Sequence, residues 1–460
     1  MLPLSKKIKN LILLSIVPFF SLINSILQAQ YEYDGFHWGL VLYTADSLNL
    51  GLLPYKEVFV HYGILTSKIN AIILKIFSNN FLYLFALSSV LYAFSIYIQS
   101  LLVLRLTNFY YALITGLIIF FLHPYAIYPW HSYYLFFLIN IFLLFRFSEN
   151  ILLNKISYFI LSLSILFSES FFLASILILI FDFILIYISG QYRYFFLLNV
   201  FVNRILIYLI PIIIFLFYLN LNNIFFDWQK YNQMGKIFLE LLNMSLYELV
   251  LVFPKNLFLY SFKYIFVTPN WLIYLILIIF NIFYLFNFLR QNLKKKNFGK
   301  NINQNEIFLV LISFCSLVLL YQTLHSFVIF KFSCGLILGL IVLICYMSKL
   351  KNSENKIILI CIIFLYSLNA FSFFKTENNE LYVYNFKKEE YVKNDYFDYF
   401  RSQKWDEKTW KHLVELDIKL SKIVTKCNIQ NGTNLSGDGI ISVLMRKKVN
   451  TEQILPWYDL

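Results

Sequence analysis

The sequence predicts an all-α polytopic membrane protein with about 11 transmembrane helices. Of its 460 residues, 60% are hydrophobic and only 14% are charged, whereas soluble domains usually carry about a quarter charged residues. The mean hydropathy is +0.68. The hydrophobic residues come in runs of about 20, the length that crosses a bilayer as a helix. These three observations exclude a chain made only of soluble domains.

The net charge of +13 lies almost entirely in one part of the chain. Residues 375–460 contain 14 Lys and Arg and 13 Asp and Glu, so residues 1–374 carry nearly all of the excess. Lys and Arg in short loops mark the cytoplasmic side of a membrane protein. We therefore interpret the positive charge as an orientation signal, with membrane lipids as neighbours, and expect no nucleic-acid partner.

Eleven or so spans, with the N-terminus inside and the C-terminus outside, place the basic residues of every short loop in the cytoplasm. The stretch 156–189 could form one very long helix or two that turn at residues 168–170; two are favoured, because one would move the basic cluster at 290–300 to the other side. The first span lacks a small-residue cleavage site and is expected to be retained. The predicted spans are 8–28, 80–104, 109–128, 132–147, 156–168, 171–189, 205–221, 271–289, 306–324, 327–347 and 357–374.

This topology places most functional groups on one side of the membrane. The first outer loop (29–79), a small C-terminal extracytoplasmic domain (375–460) and Glu169 at a hairpin tip lie outside. All histidines are also predicted there: His37, His61, His123, His131, His325 and His412. The cytoplasmic loops hold mainly basic residues, including Arg105, Arg146, Lys155 and Arg204. Because ionisable groups near a membrane mark functional sites, we expect chemistry at the outer leaflet and neither a channel nor an alternating-access transporter.

The densest polar cluster follows the first span. Residues 31–39 read Tyr-Glu-Tyr-Asp-Gly-Phe-His-Trp-Gly, and residues 40–50 have the apolar spacing of a helix lying along the membrane surface. Residues 51–63 then read Gly-Leu-Leu-Pro-Tyr-Lys-Glu-Val-Phe-Val-His-Tyr-Gly. Two carboxylates, two histidines and several aromatic rings suit general-base catalysis beside a ring-shaped substrate. Asp34 alone could instead be a turn residue before Gly35.

The order of these motifs resembles the polytopic membrane glycosyltransferases of the GT-C type, such as the protein mannosyltransferases and the lipid A aminoarabinose transferases. In that family an acidic residue follows the first helix, as Asp34 does here, and Gly-x-x-Pro-Tyr and Tyr-Gly segments precede the second, as residues 51–55 and 62–63 do. The motifs cover about residues 1–80, and the architecture covers 1–374 as a transmembrane catalytic module. The family usually carries an acidic pair, whereas here Glu32 lies two residues before Asp34.

The resemblance implies inverting transfer of a sugar from a polyprenyl-phosphate donor to a hydroxyl group of a glycan, lipid or protein. The reaction would take place at the extracytoplasmic face of a bacterial inner membrane, with Asp34 as the base. The leaving phosphate needs a cation, and Lys331 near the outer end of its span is the first choice, although it could simply snorkel. The other expected substrate-binding residues are Glu32, His37, Lys56, Glu57, His61, Tyr62, His131, Glu169 and His325.

Two other classes stay open. A lipid-linked oligosaccharide polymerase, ligase or flippase shares the membrane setting but usually carries arginines in place of a carboxylate-rich first loop. A non-catalytic membrane protein with a partner-binding tail would leave the first-loop cluster without a role. The cofactor is also open, because histidines beside carboxylates could hold a divalent metal that the sequence does not require.

Overall fold

The fold consists of packed apolar α-helices. The computed structural model describes residues 4–31, 35–60, 62–123, 127–189, 194–231, 270–294, 302–320, 329–350, 360–367, 391–434 and 450–453, with single positions at 245, 248 and 255. Within these ranges, five helical segments are long and apolar enough to cross a membrane: Ile8–Ala29, Leu82–Leu106, Glu169–Ser189, Leu198–Leu221 and Trp271–Asn292. The predicted all-α membrane architecture is confirmed at this level.

The helices of the membrane region follow one another with short connections. Their bounds are α1 Leu4–Ala29, α2 Gly35–Asn49, α3 Ile64–Ile76, α4 Leu82–Leu106, α5 Phe109–Leu122, α6 His131–Arg146, α7 Ile151–Phe167, α8 Phe172–Ser189, α9 Tyr194–Leu221, α10 Asn270–Lys294, α11 Gln304–Val318 and α12 Ile329–Ser348. Five apolar helices of 10–17 residues accompany the five long segments. The predicted total of about 11 spans stays a prediction, since the last expected span is described only at 360–367.

The stretch 156–189 forms two helices. The 3₁₀ turn Glu169–Phe171 separates α7 from α8, and Ser168 before it is extended, with φ −153° and ψ 106°. The start of α7 and the end of α8 line the same cavity, so the two helices run in opposite directions. The hairpin prediction is confirmed.

One predicted loop is wrong in part. The helix expected over 40–50 in the first outer loop is present as α2, and the same loop also contains α3. The loop expected to hold Arg204 ends earlier, because α9 begins at Tyr194, and Arg204 is a helical residue with only 6% of its surface exposed. Arg146 likewise lies in the last turn of α6 and is buried. Both arginines enter the bundle because each finds hydrogen-bond acceptors inside it.

Polar side chains gather at two opposite ends of the helices. We call one the histidine end; it holds His123, His131 and Glu169, at the end of α5, the start of α6 and the end of α7. We call the other the arginine end; it holds Arg105 and Arg146 at the ends of α4 and α6 and Arg204 near the start of α9. Helices α4 to α9 therefore alternate in direction between these two ends.

Small and amide residues hold the helices together. Ser25 of α1 and Ser89 of α4 share a hydrogen bond of 2.7 Å, and a Cβ on Gly116 of α5 would lie 2.9 Å from the Ser100 Oγ of α4. Such close approaches are typical of helix contacts in membranes. Three helices that begin at the arginine end are capped by asparagine side chains: Asn108, Asn150 and Asn303. Each cap satisfies amide groups that the first turn leaves unpaired.

The C-terminal segment contains the remaining elements. Strand β1 (Tyr391–Lys393) pairs antiparallel with β2 (Lys404–Asp406), with Val392 opposite Trp405. Helix α13 (Glu407–Cys427) follows at once, capped by the Asp406 side chain. Strands β3 (Asn431–Asn434) and β4 (Asn450–Gln453) pair in parallel.

Candidate functional site

The predicted site residues fall into three groups. Glu32, Asp34, His61 and His325 lie outside the described residues. His37 lies in the first turn of α2, not in a loop before it, and Lys331 lies in the first turn of α12. The residues with described side chains are Lys56, Glu57, Tyr62, His131 and Glu169.

The Gly-x-x-Pro-Tyr segment forms a tight loop after α2. Tyr55 has a φ of +67°, and its amide donates to the Val58 carbonyl at 2.9 Å. A positive φ is costly for a residue other than glycine, so the surrounding contacts must enforce it. Glu57 accepts the Leu53 amide at 2.6 Å and is exposed, as is Lys56. Glu57 therefore closes the loop, and neither it nor Lys56 has a described contact with Glu169.

Glu169 is the carboxylate on which this loop converges. The Tyr55 hydroxyl donates to Oε1 of Glu169, and the Trp228 indole donates to Oε2 at 2.9 Å. A third aromatic residue, Tyr231, packs 5.4 Å from the Tyr55 ring centroid and donates to the Val60 carbonyl. The half-buried Glu169 thus joins the first loop, the α7–α8 turn and the segment after α9.

The contact leaves Glu169 with free hydrogen-bonding capacity. A carboxylate has about four acceptor sites, and the two protein donors occupy one on each oxygen. Burial, followed by the neighbouring Glu169 carboxylate, raises the pKa of the Tyr55 hydroxyl well above its usual value of 10.0. Tyr55 therefore stays a neutral donor, and the carboxylate can still accept a hydroxyl group of a ligand that lies among the rings.

Gly63 of the Tyr-Gly pair packs directly on the backbone before Glu169. Its φ is +110°, and an added Cβ would lie 2.6 Å from the carbonyl carbon and oxygen of Phe167. Thr66, in the first turn of α3, donates to the same Phe167 carbonyl at 2.8 Å. Only glycine fits here for both conformational and steric reasons. The Tyr-Gly motif thus has a structural role: it seats the start of α3 on the end of α7.

Tyr62 and His131 are in contact. Their ring centroids lie 4.9 Å apart with an interplanar angle of 35°, and both side chains are partly exposed. His131 is the first residue of α6. The first loop therefore reaches α6 through Tyr62 and the α7–α8 turn through Tyr55, which brings three of the predicted elements together.

His123 links this region to the helix that carries Lys331. The buried His123 ring lies 2.5 Å from the Ser333 Oγ of α12 through Nδ1 and 3.1 Å from the Tyr133 hydroxyl of α6 through Nε2. Ser333 follows Lys331 by two residues. The histidine end therefore includes the first turn of α12, where the predicted phosphate-binding lysine lies.

The C-terminal segment covers the chain beside Glu32 and Asp34. The Lys404 amide donates to the Gln30 carbonyl at 2.5 Å, and the Gln403 side chain donates to the Ala29 carbonyl at 3.1 Å. The Tyr399 hydroxyl donates to Asp46 of α2 at 2.8 Å. Beyond the predicted base, Trp38 of α2 is fully buried against Phe81 and Phe85. The chain is thus packed on both sides of the predicted base, at residues 29–30 before it and at Trp38 after it.

A second polar centre, at the arginine end, was missed by the sequence prediction. Arg146 Nε donates to both oxygens of Asp182 at 3.0 and 2.8 Å, and the Tyr158 hydroxyl also donates to Asp182. Asp182 is fully buried in the middle of α8. A single acid within the apolar run 172–189 was the available signal, because a carboxylate at membrane depth requires a partner.

Among the described residues, no group of three or more His, Cys, Asp or Glu side chains lies close enough together to hold a metal ion. The sequence left open a divalent metal held by histidines and carboxylates of the first loop. Of these, Glu32, Asp34 and His61 lie outside the described ranges.

Comparisons with protein-family models, with curated proteins and with solved structures give no match. The long apolar helices define the class as an integral membrane protein.

Proposed function

We propose that the protein is a membrane glycosyltransferase of the GT-C type, with about 11 spans and its reaction centre at the histidine end, on the extracytoplasmic side. One observation supports this most: two of the motifs that carry the resemblance meet beside Glu169, because the Tyr55 hydroxyl donates to its carboxylate and Gly63 packs on the backbone of Phe167, two residues earlier. Motifs of the first loop thus lie beside Glu169, which the sequence analysis names as a site residue for a different reason, its place at a hairpin tip.

The proposed reaction is a single inverting displacement. The acceptor hydroxyl oxygen forms a bond to the anomeric carbon of the sugar while the bond from that carbon to the lipid phosphate oxygen breaks. The acceptor proton passes to the Asp34 carboxylate, and the polyprenyl phosphate leaves with the electron pair. A cation beside the leaving phosphate stabilises its developing charge. Lys331 is the first choice for that role, followed by Lys56, His61 and His325.

Glu169 is proposed to orient a sugar or acceptor hydroxyl. Its oxygens are held by Tyr55 and Trp228, which are neutral donors, so the carboxylate keeps acceptor sites for a hydroxyl group. The rings of Tyr55, Trp228 and Tyr231 offer large apolar faces with polar edges, which suits the alternating surfaces of a sugar. Glu32, His37, Glu57, Tyr62 and His131 complete the proposed substrate-binding set.

The alternative of a polymerase, ligase or flippase depends on arginines near the lipid-linked substrate. Arg105, Arg146 and Arg204 line one cavity at the arginine end, away from Glu169. We therefore favour the carboxylate mechanism at the histidine end.

The test is transfer by the Asp34→Asn variant. Membranes containing the full-length protein receive a panel of polyprenyl-phosphate hexoses and pentoses, and incorporation of sugar into membrane glycans, lipids and proteins is measured. Loss of a general base is expected to reduce transfer by about 10²–10⁴-fold at an unchanged protein level. The matched control is Asp395→Asn, which removes an exposed carboxylate paired with Lys393 and leaves transfer unchanged. Normal transfer by Asp34→Asn, or no transfer by the unaltered protein with any donor, contradicts the proposal.

A further inference from the structure

The arginine end contains a cavity that the proposed sugar transfer does not use. Its volume is about 440 Å³, within the range of small-molecule sites. It is enclosed by the ends of α4, α6 and α8 and the starts of α7, α9 and α11. Among the described residues that line it, four are basic and one is acidic: Arg105, Arg146, Lys155, Arg204 and Glu149.

Arg204 is the most buried basic residue that lines this cavity. It is 94% buried, given its exposure of 6%. One terminal nitrogen donates to the Asn154 Oδ1 at 3.0 Å, and its guanidinium carbon lies 4.9 Å from the centroid of the Tyr158 ring. Its other terminal nitrogen is buried and has no hydrogen-bond partner among the described residues. A residue that lines the cavity therefore has an unused buried donor.

The nearest buried carboxylate does not neutralise Arg204. Both oxygens of Asp182 already accept from Arg146, and one also accepts from Tyr158. Glu149 is exposed at the cavity rim, and no described ion pair joins it to Arg204. This end thus holds two buried arginines and one buried carboxylate, which pairs with Arg146 alone. A buried charge without a counter-ion is strongly destabilising, so the surroundings of Arg204 favour an anion.

The lining favours phosphate over a weaker anion. Arginine forks match phosphate oxygens and form charge-assisted hydrogen bonds with them. The exposed Arg105 and Lys155 at the rim add positive charge around an entrance. The first turns of α7 and α11 also lie at the cavity, and the positive end of a helix dipole favours anions.

We propose that this cavity binds a phosphate group, with Arg204 as its buried ligand. The phosphate belongs either to the headgroup of an anionic lipid or to a soluble phosphate compound, and both use the same contacts. The site is separate from the histidine end and does not depend on the glycosyltransferase proposal.

Binding is tested on the full-length protein in nanodiscs. In phosphatidylcholine nanodiscs, inorganic phosphate is titrated and the thermal unfolding temperature is followed, because a ligand that binds the folded state stabilises it. In phosphatidylglycerol nanodiscs, lipid retained after transfer to detergent is counted by native mass spectrometry. A phosphate-dependent rise in the first arm identifies a soluble source, and retained phosphatidylglycerol in the second identifies a lipid headgroup.

The variants separate this site from general electrostatic attraction. For whichever probe binds, phosphate or phosphatidylglycerol, Arg204→Gln should weaken binding by about tenfold or more, because a charge-assisted hydrogen bond is lost. The affinity of Arg204→Lys should lie between those of the unaltered protein and Arg204→Gln, since lysine keeps the charge without the paired donors of the guanidinium. The matched control is Arg290→Gln, which removes an exposed arginine of α10 that does not line the cavity.

A purely structural role for Arg204 predicts a different pattern. Arg204→Met removes the unpaired charge, so without phosphate its unfolding temperature should equal or exceed that of the unaltered protein, while the response to the probe is lost. The proposal is overturned if neither probe binds, if Arg290→Gln weakens binding as much as Arg204→Gln, or if Arg204→Met destabilises the protein without altering its response.

Discussion

The two ends of the bundle hold their charges in opposite ways. At the histidine end a carboxylate, Glu169, is held by the neutral donors Tyr55 and Trp228. At the arginine end a guanidinium, Arg204, is held by the neutral amide of Asn154. At the same end, the buried side chains of Arg146 and Asp182 form an ion pair in which each charge has its counter-charge.

The difference separates a structural charge from one that is open to a ligand. The Arg146–Asp182 pair is buried and internally compensated, so it joins α6 to α8 and has little left to offer a ligand. Glu169 keeps acceptor sites that its two protein donors do not fill, and Arg204 keeps a charge that no described carboxylate pairs with. Glu169 can accept hydrogen bonds from hydroxyl groups, and Arg204 can bind an anion. We therefore assign different ligands to the two ends.

The largest expected effect comes from breaking the ion pair. Asp182→Asn leaves the Arg146 guanidinium buried and unpaired, which should lower the free energy of unfolding by about 3–5 kcal/mol. Thermal unfolding in detergent measures it. The double variant Arg146→Met with Asp182→Leu should recover most of the stability, because no unpaired charge remains. Equal stability of Asp182→Asn and the unaltered protein would show that the pair is not structural.

The next largest effect concerns the close contact between Gly63 of the first loop and the Phe167 backbone at the end of α7. Gly63→Ala should destabilise the protein by about 1–3 kcal/mol through overpacking against the Phe167 carbonyl, in addition to backbone strain. Gly51→Ala is the matched control, because Gly51 also has a positive φ, +86°, but an added Cβ meets nothing within 4 Å. Gly51→Ala should cost only about 1–2 kcal/mol from its φ. Equal losses in thermal unfolding would rule out the close contact.

A smaller effect concerns the orientation of Glu169. Tyr55→Phe removes the donor to Oε1 and should reduce sugar transfer by about tenfold, as expected for a hydrogen bond to a charged group. Tyr83→Phe removes a hydroxyl from an exposed ring stacked on Phe77 at the same end and should leave transfer unchanged. The same loss in both variants would show that Glu169 needs no donor from the first loop.

The smallest effect is a pH dependence. The pKa of Tyr55 is raised in the folded protein above the unfolded value of about 10. Its contribution to stability is fully present below pH 10 and is lost as the pH rises towards the folded pKa, because only the unfolded state releases the proton in that window. The fall in stability above pH 10, measured by unfolding over a pH series, should be shallower in Tyr55→Phe. Identical alkaline slopes would contradict the buried Tyr55–Glu169 contact.

Much of the histidine end could be predicted from the sequence. Hydrophobic runs located the spans, and loop charges favoured a turn at Glu169 over one long helix. The Gly63 position was singled out by a motif, and the structure gives its cause in a positive φ and a close backbone contact. Trp228 could not be found, because no pattern in 222–270 connects it to a carboxylate 59 residues earlier.

The arginine end could not be predicted by the same reasoning. Loop-charge counting treats every arginine as an interfacial anchor, so Arg146 and Arg204 were placed in loops. Whether an arginine is buried depends on a partner elsewhere in the chain, and Asp182 lies 36 residues from Arg146. The sequence predicts that functional polar side chains lie on one side of the membrane and that the other side has only basic loops. This prediction is wrong, because both ends of the bundle hold buried polar side chains.

The central claim is that the carboxylate centre and the phosphate cavity lie on opposite sides of one membrane, and sided labelling tests it most directly. Single cysteines replace Ser170, beside Glu169, and Glu149, at the rim of the cavity; both positions are exposed. The exposed Cys361 and Cys427 are changed to serine. In intact cells a membrane-impermeant maleimide should modify Ser170→Cys alone, and permeabilised cells should also show Glu149→Cys. Labelling of both in intact cells, or of Glu149→Cys alone, would contradict the account.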